Sequence, residues 1–215
     1  MTFADLHRGE LPLLLPNAWD VPSALALLAC GFTAIGTTSF GVAASIGRPD
    51  GGRSAREANL GLAAALRPLD CYTSVDIEDG YADDPGQVAD YVDRLPVDGI
   101  NIEDSTAEKL IALQEHAAKV QAIKQRSPDV FVNARIDTYW LGQDATLTAT
   151  LDRAARFLPF PDSRSRTSQR LACAGCRRAR CRTAPRSTPP RRPRSPFETR
   201  PRFRSPTRTP RCRSA

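Results

Sequence analysis

Short apolar runs alternate with longer amphipathic segments along the first 158 residues. Apolar runs of strand length lie at residues 11–15, 32–38, 72–77, 97–102 and 130–135. Segments with helical spacing follow them at residues 22–29, 55–66, 85–94, 107–125 and 145–158. Apolar runs separated by helices are typical of a parallel sheet built from repeated βα units. The pattern therefore predicts an α/β fold with five βα units.

The alternation stops near residue 158, and the rest of the chain has a different composition. Residues 159–215 contain 17 Arg, no Lys, two acidic residues and ten of the 18 prolines, which gives them a charge of +15. Residues 1–158 carry −9, so the net charge of +6 describes neither part. This segment has almost no aliphatic residues, so it cannot bury enough apolar surface to offset the conformational entropy lost on folding. We expect a folded domain at 1–158 and a disordered Arg/Pro/Ser-rich tail at 159–215.

The sequence gives no sign of a membrane protein. No apolar run is long enough to cross a bilayer, and the first residues lack the basic and apolar regions of a signal peptide. We therefore expect a cytoplasmic protein with no membrane partner.

Acidic residues lie at the ends of three predicted strands or directly after them. These acids are Asp76, Glu78 and Asp79 at the end of the third strand or just beyond it, Glu103 and Asp104 after the fourth, and Asp137 after the fifth, with Arg135 just before it. Acids at such places also serve as helix caps. Alternate residues of a strand point to the same side, however, so we expect Asp76 and Glu78 to lie on the same side of the third strand. Since parallel strand ends converge where barrel active sites form, these carboxylates suit Mg²⁺.

Six short motifs follow one another between residues 16 and 137: PNAWD (16–20), TTSFG (37–41), GRPD (47–50), VDIEDGY (75–81), GINIEDS (99–105) and NARID (133–137). Together they resemble the motifs of the isocitrate lyase/phosphoenolpyruvate mutase superfamily, in that superfamily's order. The resemblance covers residues 11 to about 158. It implies a (β/α)8 TIM barrel, of which about five βα units are present, and relatives that form homo-oligomers.

The resemblance also implies roles for particular residues. Asp76, Glu78 and Glu103 match the acids that hold Mg²⁺, largely through water. Asp50 matches a catalytic acid on the loop after the second strand, and Arg135 matches the arginine that pairs with the substrate. Three further residues match the segment whose backbone amides and Ser hydroxyl grip a substrate carboxylate or enolate oxygen: Thr38, Ser39 and Phe40.

The implied activity is that of a Mg²⁺-dependent lyase or mutase acting on a small 2-oxo acid or dicarboxylate. Such a substrate passes through an enolate while a carbon–carbon or carbon–phosphorus bond changes. The residues after Asp104 do not match the Lys-Lys-Cys-Gly-His loop of isocitrate and methylisocitrate lyases, so those two activities are not expected. The alternative for Arg135 is a structural ion pair with neighbouring acids.

The tail has two interpretations. Back-translation of residues 159–169 permits a run starting Val-Pro-Gly when read two bases later, and this superfamily carries Val-Pro-Gly at its sixth strand. We favour an out-of-frame tail without a nucleic-acid partner, and a 215-residue chain that is inactive because three βα units are missing. The alternative is a non-enzymatic protein whose basic tail binds nucleic acid.

Overall fold

The computed structural model describes residues 1–157. These residues form seven strands: β1 (Asn17–Ala18), β2 (Ala34–Thr37), β3 (Tyr72–Asp76), β4 (Gly99–Glu103), β5 (Ser105–Thr106), β6 (Lys109–Leu110) and β7 (Phe131–Arg135). They also form eight helices: α1 (Phe3–Leu6), α2 (Val21–Ala29), α3 (Ser39–Ser45), α4 (Arg56–Leu66), α5 (Pro85–Asp93), α6 (Leu113–Arg126), α7 (Thr138–Leu141) and α8 (Leu147–Phe157). The expected disordered tail lies outside the described residues.

Five of the strands form one parallel sheet in the order β1-β2-β3-β4-β7. The other two, β5 and β6, form a small antiparallel hairpin. Helices lie between successive strands of the large sheet, so spatial neighbours are also neighbours in the chain, as in repeated βα units. The five-stranded parallel arrangement predicted from the apolar pattern is confirmed.

Local sequence explains where the principal helices begin. The Asp20 carboxylate accepts a hydrogen bond from the Ser23 amide at 2.7 Å, and Pro22 lies in the first turn of α2. Asp84 caps α5 in the same way, accepting from the Gln87 amide at 2.9 Å, with Pro85 directly after it. Each cap satisfies an amide that the helix leaves free, and each proline removes one.

Two apolar clusters hold the helices on the sheet. One is centred on Val75, Ile100 and Ile123 and joins β3 and β4 to α5 and α6. The other is centred on Ile35 and Val42, and it joins β2 to α2, α3 and α4. Burial of these side chains supplies the main favourable free energy of folding.

Helix α1 covers the N-terminal ends of the strands. Phe3 is 4% exposed and its ring packs against those of Tyr72 and Phe131, with centroids 6.0 and 5.6 Å away. A Cβ on Gly99 would lie 2.5 Å from the Phe3 ring, so glycine permits this close approach. The polar residues of interest lie at the opposite, C-terminal end of the strands.

Two element predictions were wrong. Residues 11–15 do not form a strand, and Leu11 and Leu14 are 82% and 69% exposed, because within residues 1–157 β1 pairs with β2 alone. The helix predicted from residue 107 begins at Leu113, because the preceding residues form the β5–β6 hairpin with left-handed Ala107 and Glu108. Helix α3, Ser39–Ser45, has no counterpart among the predicted helices. Among the described helices, none is long and apolar enough to cross a membrane.

Candidate functional site

Asp76 is the last residue of β3 and is held by bonds from two neighbouring elements. Its side chain is buried, and its Oδ2 accepts a hydrogen bond from the Ser39 amide at 2.9 Å. Its own amide donates to the Thr37 hydroxyl at 3.0 Å. These bonds fix one carboxylate between the ends of β2 and β3.

A chain of amide side chains extends this arrangement across β4 and β7. Asn133 Nδ2 donates to Asn101 Oδ1 at 2.7 Å, and Asn101 Nδ2 donates to Asp76 Oδ1 at 3.2 Å. The three residues are direct partners in the strand register, which places their side chains side by side. Asn101 and Asn133 lie within two of the six motifs, but neither was predicted to have a role. The signal that could have found them is their matching position in successive strands.

Glu78 lies just beyond β3 in a constrained conformation. Its φ of 50° is left-handed, so the two-residue repeat of an extended strand does not apply to it, although it lies at the same end of the sheet as Asp76. Gly80, with φ of 95°, completes the turn, and a Cβ there would lie 2.6 Å from Val88. The Glu78 side chain is 5% exposed. Its Oε2 accepts from the Arg53 amide at 2.9 Å, while Oε1 is buried without a partner among the described residues.

Glu103 and Arg135 face each other at the ends of β4 and β7. Arg135 Nη1 donates to Glu103 Oε1 at 2.5 Å, and its Nε donates to Asp137 Oδ1 at 2.7 Å. Asp137 is buried and also accepts from the Ser105 hydroxyl at 2.6 Å. The Arg135 guanidinium lies over the Trp140 ring, with its Cζ 5.7 Å from the ring centroid. Arg135 is therefore ion-paired in this structure while about one third of its side chain remains exposed.

The completely buried Asp104 supports this group from behind. Its Oδ1 accepts from the Asp137 amide at 2.8 Å, and its Oδ2 accepts from Arg153 Nη1 at 2.9 Å. Arg153 also donates to the Ile111 carbonyl. Helix α8 thereby fixes the segment that follows Glu103.

The remaining candidate residues lie around the same end of the sheet. Ser39 is buried at the start of α3, Thr38 is half-buried and Phe40 is 67% exposed. Asp50 is exposed on the loop between α3 and α4, where its charge helps to raise the pKa of Glu78 and of Glu103. The structure thus brings Ser39, Asp76, Glu78, Glu103 and Arg135 to one region. Thr38, Phe40 and Asp50 lie at its margin.

Two of the carboxyl groups hold their protons unusually tightly. Burial raises the pKa of Glu78 to about 7, assisted by the charges of Asp50 and Asp76. Burial likewise raises the pKa of Glu103 to about 8, with Asp76 as the leading neighbouring charge. Ionising both groups so close to other acids costs free energy that a bound cation would offset.

The donor set fits a hydrated divalent cation better than a fully protein-coordinated one. Within residues 1–157, no three His, Cys, Asp or Glu side chains are close enough to bind one metal ion directly. Mg²⁺, however, keeps several waters and is commonly bound through one or two carboxylates. The unpartnered Glu78 Oε1 is an oxygen donor suited to such an ion or its water.

Comparisons with known proteins identify relatives over the same part of the chain. The phosphoenolpyruvate phosphomutase family matches residues 3–159. An uncharacterized protein of Mycobacterium tuberculosis (strain ATCC 25618 / H37Rv) is 66% identical over 158 residues, which are 74% of this chain and 61% of that protein. The chain therefore spans about three fifths of the length of this curated relative.

Solved structures share the fold of this part. A protein of Burkholderia cenocepacia J2315, provisionally assigned as a phosphonomutase, has a TM-score of 0.67 and 33% identity, covering 72% of this chain and 68% of its own. Phosphonopyruvate hydrolase in complex with oxalate and Mg²⁺ has a TM-score of 0.64, covering 73% and 59%; at 22% identity it shows the fold alone. The superfamily inferred from the sequence is confirmed, and so is the α/β barrel type of fold, of which residues 1–157 supply five parallel strands. The chain belongs to the phosphoenolpyruvate phosphomutase family.

Proposed function

We propose that the site belongs to a Mg²⁺-dependent lyase or mutase that acts on a small 2-oxo acid or dicarboxylate through an enolate. The observation that carries the proposal is the meeting of Asp76, Glu78, Glu103 and Arg135 at one end of a parallel sheet. Family membership supports lyase or mutase chemistry on small acids. The cytoplasmic location and homo-oligomeric relatives expected from the sequence belong to the same proposal.

The acidic residues have a metal-binding role in this proposal. Asp76, Glu78 and Glu103 would hold the ion largely through water, and Asp50 would approach from the loop as a catalytic acid. When bound, Mg²⁺ would stabilise the negative charge of the enolate. Support comes from the buried, unpartnered Glu78 Oε1 and from the structure of phosphonopyruvate hydrolase with oxalate and Mg²⁺.

Arg135 has the substrate-binding role. Its planar guanidinium has several donors and matches a carboxylate in two-point contact. In this structure those donors are engaged by Glu103 and Asp137. Substrate binding would therefore exchange one of these ion pairs for a pair with the substrate carboxylate. Thr38, Ser39 and Phe40 would lie on the other side of that carboxylate or of the enolate oxygen.

The experiment is a titration of the 215-residue chain with Mn²⁺, a spectroscopically visible substitute for Mg²⁺. Free Mn²⁺ is measured by electron paramagnetic resonance. We expect Asp76→Asn and Glu103→Gln to weaken binding by at least about tenfold, because each removes a negative charge from the cluster. Glu57→Gln is the matched control, since Glu57 is an exposed acid on α4 paired with Arg56. Equal affinity in the unmodified chain and both site variants would reject the metal assignment.

Substrate binding is tested with oxalate as the probe. We expect oxalate to bind only when Mn²⁺ is present, and Arg135→Gln to weaken oxalate binding without weakening Mn²⁺ binding. The fluorescence of Trp140, which lies over Arg135, supplies the signal. A Trp19→Phe background removes the other of the chain's two tryptophans. Unchanged oxalate affinity in Arg135→Gln would contradict the substrate role.

A further inference from the structure

The loop that carries Asp50 is attached to the end of β3 through Arg53. Arg53 Nε donates to both carboxylate oxygens of Asp79 at 3.0 Å, and Nη2 donates to Asp79 Oδ2 as well. Nη2 also donates to the exposed Asp83 at 2.5 Å. Asp79 is 1% exposed, so one side of this ion pair is shielded from water. Multidentate bonds between guanidinium and carboxylate are among the stronger side-chain interactions.

Asp79 is held in place independently of the loop. The buried Lys119 on α6 donates from Nζ to the Asp79 carbonyl at 2.9 Å and lies 3.7 Å from its Oδ2. The Asp79 Oδ1 accepts from the Tyr81 amide at 3.1 Å. Asp79 is therefore a fixed anchor point, to which Arg53 ties a loop that otherwise projects into solvent.

The backbone of Arg53 contacts the site directly. Its amide donates to Glu78 Oε2 at 2.9 Å, which leaves Oε1 as the unpartnered oxygen of that carboxylate. Arg53 adopts a φ of 58°, an uncommon conformation for a residue with a side chain. The side-chain bonds to Asp79 offset the cost of that conformation and hold the amide where Glu78 needs it.

We propose that Arg53 is a positioning residue: its ion pair with Asp79 fixes the loop of residues 47–53, and its amide thereby orients Glu78. The consequence for metal binding rests on the proposed function. The pairing of Arg53 with Asp79 was not predictable from the sequence, because the two residues are 26 positions apart and only the fold brings them together. Asp50, three residues before Arg53, takes its place from the same attachment.

Hydrogen exchange of residues 47–54, followed by mass spectrometry without any metal, tests the attachment. We expect exchange to quicken about tenfold in Arg53→Gln and in Asp79→Asn, and the double variant to exchange no faster than either single variant. Asp83→Asn is the control, because the exposed Asp83 contributes little in water. Arg53→Lys keeps the positive charge but loses the planar, two-point contact with the carboxylate, so it should retain part of the protection from exchange that Arg53→Gln loses.

Exchange of β4 in the same samples separates a local role from a general loss of stability. Faster exchange in residues 47–54 alone supports the proposal. Equal quickening in residues 47–54 and in β4, or unchanged exchange in Arg53→Gln, overturns it.

Mn²⁺ titration of the same variants tests the link to Glu78. We expect Arg53→Gln to weaken Mn²⁺ binding about 10-fold, the lower end of the effect of losing a residue that orients a metal ligand. If the unmodified chain bound no Mn²⁺, the proposed function would fail, while the loop exchange would still decide whether Arg53 fixes the loop. If the chain bound Mn²⁺ and Arg53→Gln bound it equally well, the proposed function would stand and the positioning role would be rejected.

Discussion

At the scale of single residues, the site concentrates negative charge where little water can screen it. Glu78 is almost fully buried, beside Asp76 and within the influence of Asp50. The sequence shows that these acids follow predicted strands, which was enough to place them at one end of the sheet. It does not show burial, so neither the raised pKa of Glu78 nor its unpartnered oxygen was predictable.

The raised pKa of Glu78 has a direct consequence for stability. Because the folded-state pKa of about 7 exceeds the ordinary value of 4.5, the folded protein binds more protons than the unfolded chain between these values. Ionised Glu78 therefore destabilises the metal-free fold increasingly as the pH rises from 4.5 to above 7. Below 4.5 the group is protonated in both states, and this cost is absent.

We therefore expect Glu78→Gln to increase the stability of the metal-free protein at pH 8 by about 1–3 kcal/mol. The gain should disappear near pH 4.5, and the variant should bind Mn²⁺ poorly. Urea unfolding at both pH values, in the presence of a chelator, measures the change. The exposed Glu57→Gln serves again as control. A variant that is less stable than the unmodified chain at pH 8 would show that this carboxylate stabilises the fold.

At the scale of elements, the alternation of apolar runs and amphipathic segments was sufficient to predict the parallel sheet, four of its five strands and the helices α2, α4, α5, α6 and α8. The failures have a local cause. The Leu-rich run at residues 11–15 has the composition of a buried strand, but the pairing that would bury it is absent within residues 1–157. The β5–β6 hairpin depends on left-handed Ala107 and Glu108, residue types that favour helix when local propensity alone is considered.

Helix α1 allows a test of whether packing at the N-terminal end of the strands affects the site at their C-terminal end. Phe3 fills the space among Tyr72, Gly99 and Phe131 at the end opposite the carboxylates. We expect Phe3→Leu to lower the free energy of unfolding by about 1 kcal/mol, because the smaller side chain loses aromatic packing. Mn²⁺ affinity should not change.

Urea unfolding and Mn²⁺ titration of the same preparation measure both quantities. Leu6→Ala, on the same short helix but half-buried, is a comparison with a smaller expected effect. Weaker Mn²⁺ binding in the folded Phe3→Leu protein would show that the two ends are coupled.

At the scale of the whole molecule, residues 1–157 supply all the principal residues of the site but only part of the pairing that a closed barrel requires. All four principal site residues, Asp76, Glu78, Glu103 and Arg135, lie on or next to strands that have formed. Within the described residues, however, β1 and β7 each have a neighbour on one side only. That residues 159–215 supply no further strand stays a prediction, based on the end of the apolar periodicity near residue 158.

We expect the 215-residue chain to bind Mn²⁺ but to have no measurable turnover. The carboxylates and Arg135 can contact a substrate from one side, whereas a closed barrel would surround it and exclude water. A strand edge that no further strand covers would present unpaired backbone groups to solvent, which favours local opening around the site. The Arg- and Pro-rich sequence of residues 159–215 offers no apolar face to cover these edges. Both effects reduce the positioning on which rate acceleration depends.

The measurement is the turnover of oxaloacetate in the presence of Mg²⁺. The Glu103→Gln variant is the control, because it gives the rate that Mg²⁺ produces when the site is not intact. We expect the two rates to agree within about twofold, although only the unmodified chain binds Mn²⁺ tightly. A cooperative thermal transition together with turnover that Glu103→Gln abolishes would contradict the prediction. That result would mean that five βα units suffice to hold the metal, Arg135 and the substrate in reactive alignment.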